Sequence, residues 1–328
     1  MHRFVTSAAI VVFTSQALLS GQGKDAGQVL ADARAAVGGD KLASVRTLTG
    51  QGRTLRTNAA GNTTESEFEV ALELPDKYRL RTALAPMGNM TVYRHTGFNG
   101  DRIIEEVDRP PNLSGGVVHI RIAGPGGTDP EKMTPEQKAE ADRLRLLATR
   151  KEFARLVLGL FPGSPDAYPL QFSYAGEAEA PDGKADVLDV TGEGGFAARL
   201  FVDAATHLPL MLTWMDKEPL VVRMGPGGAN VTAGGGGAVF QRIERAAPMS
   251  KEEREKMEKD MEAARAEAEA TRRTVEFRLY YGDYREVGGV RLPHRIQRAV
   301  DGQTTEEMEF DSLKVNAKID RHTFEPSR

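Results

Sequence analysis

The sequence predicts a mainly β fold with a few helices (α+β), built on an antiparallel sheet, from three observations. About ten segments alternate apolar and polar residues with period two, as half-buried strands do. Most of these segments are joined by short turns, which is typical of a large meander. The regular strand–helix–strand alternation of a parallel sheet does not occur. Strands that follow each other in the sequence are therefore expected to pair in antiparallel orientation.

The clearest predicted hairpin lies near the N-terminal end of this pattern. In residues 67–74 apolar side chains occupy every second position, and the alternation resumes after residues 75–77, which read Pro-Asp-Lys. If these three residues form the loop, Leu72 faces Leu80 and each apolar residue meets another. The hairpin is then apolar on one face and charged on the other.

The same alternation recurs downstream. It appears in residues 168–177, in residues 196–214 with a turn at 203–207, and in residues 274–287. Residues 284–310 add a C-terminal run of turn, strand, turn and strand that contains no nucleophilic group.

Three segments have helical patterns instead. Residues 27–39 place apolar side chains at helical spacing and end at a Gly-Gly pair. Residues 134–163 begin with a capping box formed by Thr134 and Gln137 and end at Pro-Gly. Residues 250–273 are charged almost all round, so we expect a solvated helix there.

Composition excludes several function classes. The formal net charge is −4, which disfavours nucleic acid as a partner. Cysteine is absent, so there is no disulfide framework, thiolate nucleophile or thiolate metal site.

The first residues have the pattern of a secretory signal. A short basic start, Met1-His2-Arg3, precedes an apolar run at residues 4–13 and then small residues. We expect residues 1–23 to be a cleaved signal peptide and the protein to be exported, periplasmic or extracellular. A buried N-terminal helix is the alternative. No later apolar stretch is long enough to span a bilayer, so no transmembrane segment is expected in the mature chain.

A search for catalytic motifs finds no site. The six histidines are isolated, and His207 and His294 lie next to Leu-Pro in expected turns, which favours surface positions. The glycine-rich loops lack the Lys-Ser or Lys-Thr of a phosphate loop, and no nucleophile elbow occurs. We therefore predict no catalytic residue, no metal and no cofactor. A carboxylate-based hydrolase remains as a third alternative.

Several phrases of the sequence resemble one bacterial family. They are "ARAAVGGDKLASVRTLTGQG", "LPDKYRLRT", "GFNGDR", "LFVDAATHLPLML", "YGDYREVGGVRLPHRI" and "FDSLKVNAKIDRHTF". They are similar to outer-membrane lipoprotein-sorting-like proteins of the LolA/LolB-like group. The resemblance implies a strongly curved antiparallel sheet, an incomplete β-barrel, closed on its open side by helices around an apolar concavity for acyl chains. It brings no catalytic residues.

The resemblance implies a single half-barrel domain over residues 24–328, with insertions at 109–150 and 223–273 that exceed the compact carriers. The second half of the helix over 134–163 is apolar on more than one face. We expect it to line the concavity, with the ligand-binding side chains Phe153, Leu156, Val157, Leu160 and Phe161.

The resulting hypothesis is an exported, non-enzymatic binder or carrier of lipid, lipoprotein acyl chains or another apolar ligand. The alternative is a cell-envelope interaction module with a plain packed core and a protein partner. The alternating pattern alone does not separate a filled core from an open pocket.

Overall fold

The computed structural model describes residues 24–58, 61–84, 91–108, 133–181, 183–218, 220–225, 228–233 and 250–325. The predicted signal peptide, residues 1–23, lies outside the described residues, as do residues 109–132 of the predicted insertion at 109–150.

Four α-helices are described. The three long ones coincide with the three predicted helical segments, and α1 buries Val29, Leu30, Ala33 and Val37 as their spacing indicates. The capping box of α3 is present, with reciprocal hydrogen bonds between Thr134 and Gln137. The helices are α1 (Ala26–Val37), α2 (Asp40–Ala43), α3 (Pro135–Leu160) and α4 (Lys251–Thr271).

Twelve of the described strands form one antiparallel sheet, and two form a separate hairpin. The strands are β1 (Thr47–Thr57), β2 (Thr63–Glu73), β3 (Lys77–Ala83), β4 (Tyr93–Asn99), β5 (Arg102–Val107), β6 (Leu170–Ala180), β7 (Gly183–Gly192), β8 (Phe196–Asp203), β9 (Pro209–Lys217), β10 (Leu220–Gly225), β11 (Gly228–Ala233), β12 (Thr274–Val287), β13 (Val290–Val300) and β14 (Gln303–Val315). The sheet order is β5-β4-β3-β2-β1-β14-β13-β12-β9-β8-β7-β6, and β10 pairs with β11. The sheet is open, because β5 and β6 remain as its two edges.

The alternation of side chains divides the sheet into two faces. The inner face carries Leu72, Leu188, Leu200, Leu212 and Leu279, which are all buried. The opposite, outer face carries the residues between them along each strand, such as Arg79 and His95. The main hydrophobic core lies between the inner face and helices α1 and α3.

The inner face bends around α3. Phe153 packs on the rings of Tyr78 in β3 and Phe98 in β4, whereas Arg155, two residues later, lies over Trp214 in β9. In a flat sheet, the seven inter-strand steps from β4 to β9 would span about 34 Å, yet two helical residues rise only about 3 Å. The sheet must therefore be strongly curved for both contacts to form.

The register of the first predicted hairpin is wrong by two residues. Leu72 pairs with Tyr78, not with Leu80, because the turn occupies residues 74–76 and Lys77 already pairs with Glu73. The Lys77 ammonium lies 2.5 Å from the Glu73 carboxylate and supports this shifted loop. A slip of two residues leaves every side chain on the same face, so the apolar pattern could not detect it.

His294 is buried, which corrects the predicted surface position. It belongs to β13 and shares the inner face with Leu292 and Ile296, so period two turns it inward. Its Nδ1 lies 3.0 Å from the carbonyl oxygen of Leu292.

The hairpin β10–β11 and helix α4 lie between β9 and β12 in the chain, within the predicted insertion at 223–273. Helix α4 lies against β11. None of the described helices has the length and apolar composition needed to cross a membrane.

Candidate functional site

The second half of α3 brings together the five residues that the sequence singled out. Phe153, Val157 and Leu160 are at most 3% exposed, whereas Leu156 and Phe161 are only partly buried. All five pack into the main hydrophobic cluster between α3 and the inner face. Leu156 and Phe161 therefore mark the places where this apolar seam approaches solvent.

Aromatic rings fix one side of the seam. The ring of Phe153 lies 5.4 Å from that of Tyr78 and 5.2 Å from that of Phe98, the latter edge to face. Centroid distances of this size are favourable for aromatic pairs. Strands β3 and β4 thus hold α3 through tilted and edge-to-face ring contacts.

Tyrosine hydroxyls hold the other side. The Tyr281 hydroxyl donates a hydrogen bond of 2.6 Å to the carbonyl oxygen of Arg155. The Tyr284 hydroxyl lies 2.8 Å from the carbonyl oxygen of Pro209 and 3.3 Å from that of Gly159. Burial raises the pKa of both phenols, so each stays protonated and able to donate near neutral pH.

An ionic cluster lies beside these tyrosines on the inner face. Glu152 of α3 pairs with Arg155 on its own helix and with Arg298 of β13, whose Nη2 is 2.8 Å away. Arg298 also lies 3.7 Å from Glu306, which pairs with Arg56 at 2.8 Å. The cluster connects α3 to β13, β14 and β1.

The cluster shifts the titration of its carboxylate. Burial has the largest single effect, and by itself it would raise the pKa of Glu152. The charges and hydrogen bonds of Arg298 and Arg155 outweigh it and hold the pKa at about 2. Glu152 is therefore ionised throughout the physiological range, and its charge holds the two arginines together.

A different polar cluster lies on the outer face and was missed in the sequence. The Arg79 guanidinium donates to Nδ1 of His95, with Nη2 at 2.7 Å, and Nε2 of His95 lies 2.7 Å from Asp108. Because an arginine can only donate, Nδ1 is the acceptor and Nε2 carries the proton toward Asp108. Arg79 and Arg81 occupy alternate positions of β3, next to the strand that carries His95, and this alternation was the available sequence signal for the cluster.

This histidine does not have the geometry of a general base. Both of its ring nitrogens are occupied, one by a guanidinium and the other by a carboxylate. A base that activates a hydroxyl needs a free acceptor nitrogen within hydrogen-bond reach of that hydroxyl. Within the described residues, no group of three or more His, Asp or Glu is placed to hold a metal ion.

A cleft of about 480 Å³ opens on the same outer face. Its floor is formed by five strands, β1 to β4 and β14, with outer-face side chains such as Thr49, Glu69 and Arg79. Its roof is the C-terminal segment, residues 316–325, which leaves β14 and crosses the sheet toward β4. None of the five predicted ligand residues lines this cleft.

The C-terminal segment is fastened at both ends. Asn316 donates its backbone N–H to Thr47 and accepts from the backbone N–H of Arg46, each at 2.8 Å. At the far end the carbonyl oxygen of Phe324 accepts from the side chain of Asn99 at 3.2 Å, and the Phe324 ring is buried. Between these anchors lie the residues that roof the cleft.

No protein-family model and no curated protein sequence matches the chain. Three solved structures that match are a LolA superfamily protein from Nitrosomonas europaea, a DUF1329 family protein from Desulfovibrio piger and an outer membrane lipoprotein-sorting protein domain from Vibrio parahaemolyticus. Their identities to the chain are 10%, 10% and 9%, and their TM-scores are 0.44, 0.45 and 0.41. The matches cover 92%, 91% and 90% of this chain and 97%, 96% and 94% of theirs. Two of these neighbours carry the names of the group that the sequence phrases resemble.

Proposed function

We propose that the chain is an exported, non-enzymatic binder of acyl lipid that holds its ligand between the second half of α3 and the inner face. The observation that carries this proposal is the partial exposure of Leu156 and Phe161 at the edge of an otherwise closed apolar seam. An acyl chain that enters there meets mostly apolar side chains and aromatic rings, with the Glu152–Arg155–Arg298 cluster beside them. Export rests on the signal pattern of residues 1–23.

Ligand entry requires α3 to move away from part of the sheet, and its contacts suit such a movement. The helix is held by tyrosine hydroxyls on its carbonyl oxygens and by the Glu152–Arg298 pair, besides its apolar side chains. Each hydrogen bond contributes only about 0.5–1.5 kcal/mol net. Each buried CH₂ of a lipid contributes about 0.8 kcal/mol, so a chain of about ten methylenes offsets the loss of several such contacts.

A non-enzymatic role agrees with the polar chemistry of the described residues. The His95–Asp108 contact is closed by Arg79, and the inner-face carboxylate Glu152 is locked between two guanidinium groups. A carboxylate with a pKa of about 2 is a poor proton acceptor for catalysis near neutral pH.

The test is a titration with a fluorescent fatty acid, together with solvent extraction and mass spectrometry of the purified protein. We expect saturable binding and co-purifying lipid. In Leu156→Trp the indole should occupy the mouth of the seam and abolish probe binding, while the unfolding transition changes by less than about 1 kcal/mol because the position is only partly buried.

Leu144→Trp is the matched control, since Leu144 lies on the same helix and is 39% exposed. It should bind the probe as the wild type does. Val157→Trp is a less suitable probe of the site, because Val157 is 3% exposed and the larger ring would overpack the core by about 1–3 kcal/mol.

The second candidate function is an envelope module that binds a protein partner, and the near-complete burial of Phe153, Val157 and Leu160 favours it. Its core would be closed and its partner would bind at a sheet edge, where β5 and β6 have no further neighbour among the described strands. Absence of lipid and of probe binding in the wild type would decide for this candidate.

A further inference from the structure

The outer-face cleft carries a local excess of positive charge on a protein whose formal net charge is −4. Its lining includes four cations and two carboxylates. The cations are Arg79, Arg81, Lys314 and Lys318, and the carboxylates are Glu69 and Asp320.

Not all of this charge is neutralised within the cleft. Arg81 pairs with Glu69 at 2.8 Å, and Asp320 accepts the backbone N–H of His322 at 2.7 Å. Lys314 and Lys318, in contrast, are exposed and form no ion pair with any residue that the structure describes. Their ammonium groups are available to a ligand.

Arg79 is the third cation without a carboxylate partner in the described part of the chain. Its hydrogen-bond acceptors are Nδ1 of His95 and the carbonyl oxygen of Thr323. Burial lowers the pKa of Arg79, while the charges of the nearby carboxylates Glu106 and Asp108 act in the opposite direction without cancelling the effect of burial. An anion in the cleft would offset the remaining effect of burial.

The geometry fixes Arg79 before any ligand arrives. His95, 3% exposed and held by Asp108, accepts from two nitrogens of the guanidinium, and Thr323 of the roof accepts from the third. A guanidinium fixed in this way loses little side-chain entropy when it binds an oxyanion.

We propose that this cleft binds a phosphate-bearing ligand, held by Arg79 from the floor and by Lys314 and Lys318 from the rim. A phosphate monoester carries between one and two negative charges near neutral pH, which suits Arg79, Lys314 and Lys318 better than a single carboxylate does, because these three cations outnumber Asp320, the lining carboxylate that has no described ion pair. The volume of about 480 Å³ exceeds what inorganic phosphate needs, and the hydroxyl groups of Thr49 and Ser312 line the floor beside it. The ligand is therefore an organic phosphate, either free or as a lipid headgroup.

This site is separate from the proposed lipid seam, because the cleft lies on the outer face and the seam on the inner face. The two proposals can fail independently, since one is tested with an uncharged-tail fluorescent probe and α3 variants, and the other with phosphates and lysine variants.

The experiment titrates the full-length mature chain with glycerol phosphate by calorimetry. It also measures co-flotation with phosphatidylcholine vesicles prepared with and without phosphatidic acid. We expect saturable binding of glycerol phosphate, or binding to the phosphatidic acid vesicles alone if a lipid headgroup is the source. In the double variant Lys314→Gln/Lys318→Gln, the affinity for whichever probe binds should fall about tenfold or more.

The matched control is Lys41→Gln/Lys138→Gln, which also removes two positive charges, but from exposed sites that do not line the cleft. It should bind like the wild type. The proposal is overturned if the wild type binds neither probe, if the cleft variant binds as tightly as the wild type, or if the control loses affinity equally. Thermal unfolding of both double variants should match the wild type, because all four lysines are exposed.

Discussion

Arg155 shows how a cation is accommodated inside an apolar concavity. It is 7% exposed, lies 4.2 Å from the Trp214 ring centroid and pairs with Glu152. A buried guanidinium without these partners would cost several kcal/mol, whereas stacking on indole and pairing with a carboxylate offset much of that cost. Glu152 is therefore the residue on which the polar part of the inner face depends.

We predict that Glu152→Gln destabilises the protein in a pH-dependent way. The pKa of Glu152 is depressed to about 2, so the carboxylate stabilises the folded state above its unfolded pKa of about 4.3. That stabilisation is lost as the pH falls from about 4.3 toward 2. The side chain is 44% exposed, and after allowance for solvent screening we expect a loss of about 1 kcal/mol at pH 7.

Denaturant unfolding of both proteins between pH 7 and pH 2 measures this difference. The gap between wild type and variant should be constant down to about pH 5 and should close toward pH 2. Glu140→Gln, which breaks an exposed pair with Arg143 on the same helix, serves as the control. A gap that is independent of pH would show that packing, not charge, explains the variant.

At the scale of the elements, the close approach of α3 to β12 depends on a missing side chain. A Cβ on Gly159 would lie 2.2 Å from the ring of Tyr281, far inside van der Waals contact. Glycine is otherwise unfavourable in a helix by about 1 kcal/mol relative to alanine. Its presence in the last turns of α3 is explained by the packing of this ring.

We predict that Gly159→Ala destabilises the protein by about 1–3 kcal/mol, because the steric conflict with Tyr281 outweighs the gain in helix propensity. Equilibrium unfolding in urea provides the measurement. Ala148→Gly in the same helix is a control for propensity, and it should cost about 1 kcal/mol or less. An increase in stability for Gly159→Ala would mean that α3 does not pack on β12 as described.

Most of the helices and strands were predictable, but hairpin β10–β11, which runs into a glycine-rich stretch, and the relation of the elements in space were not. Period two identified the buried face of β12, and the capping box identified the start of α3, because both signals are local. The pairing of Leu72 with Tyr78 was not predictable, since a slip of two residues conserves the pattern. Likewise, the contact of Arg155 with Trp214 depends on the curvature of the whole sheet.

For the candidate sites, too, local features were predictable and long-range contacts were not. The sequence identified the apolar second half of α3 from its composition, and whether a ligand enters beside it remains a prediction. The outer cleft could not be predicted, because its cations come from β3, β14 and the C-terminal segment, which are distant in sequence. Only the fold brings Arg79 and Lys318 to one cleft.

At the scale of the molecule, the sheet is continuous across the predicted insertion. Strands β9 and β12 are neighbours, with Thr274 opposite Lys217, although residues 218–273 separate them in the chain. The backbone N–H of Glu218 donates to the carbonyl oxygen of Arg273 at 2.9 Å, so the ladder extends one further step. The segment that contains hairpin β10–β11 and α4 thus leaves the sheet after Glu218 and returns to it at Arg273, where the two flanking strands are hydrogen-bonded to each other.

We predict that residues 219–272 can be replaced by Asn-Gly without loss of the sheet. Glu218 and Arg273 already face each other as the two residues that flank a two-residue turn do, joined by a backbone hydrogen bond and an ion pair. Asn-Gly forms the type I′ turn that such a hairpin requires. The described ion pair of α4, between Glu269 and Arg272, is partly exposed, and a surface pair at this spacing is worth about 0.3–0.5 kcal/mol. Among the described side chains of α4, Ala268 is the buried one. The unfolding free energy should therefore change by about 1 kcal/mol or less, a shift of about 2–4 °C in the thermal midpoint.

Asp301→Asn places the same Asn-Gly pair in the β13–β14 turn and controls for turn chemistry. If the shortened chain loses its cooperative transition while Asp301→Asn keeps it, the segment from β10 to α4 supports the core and is no insertion.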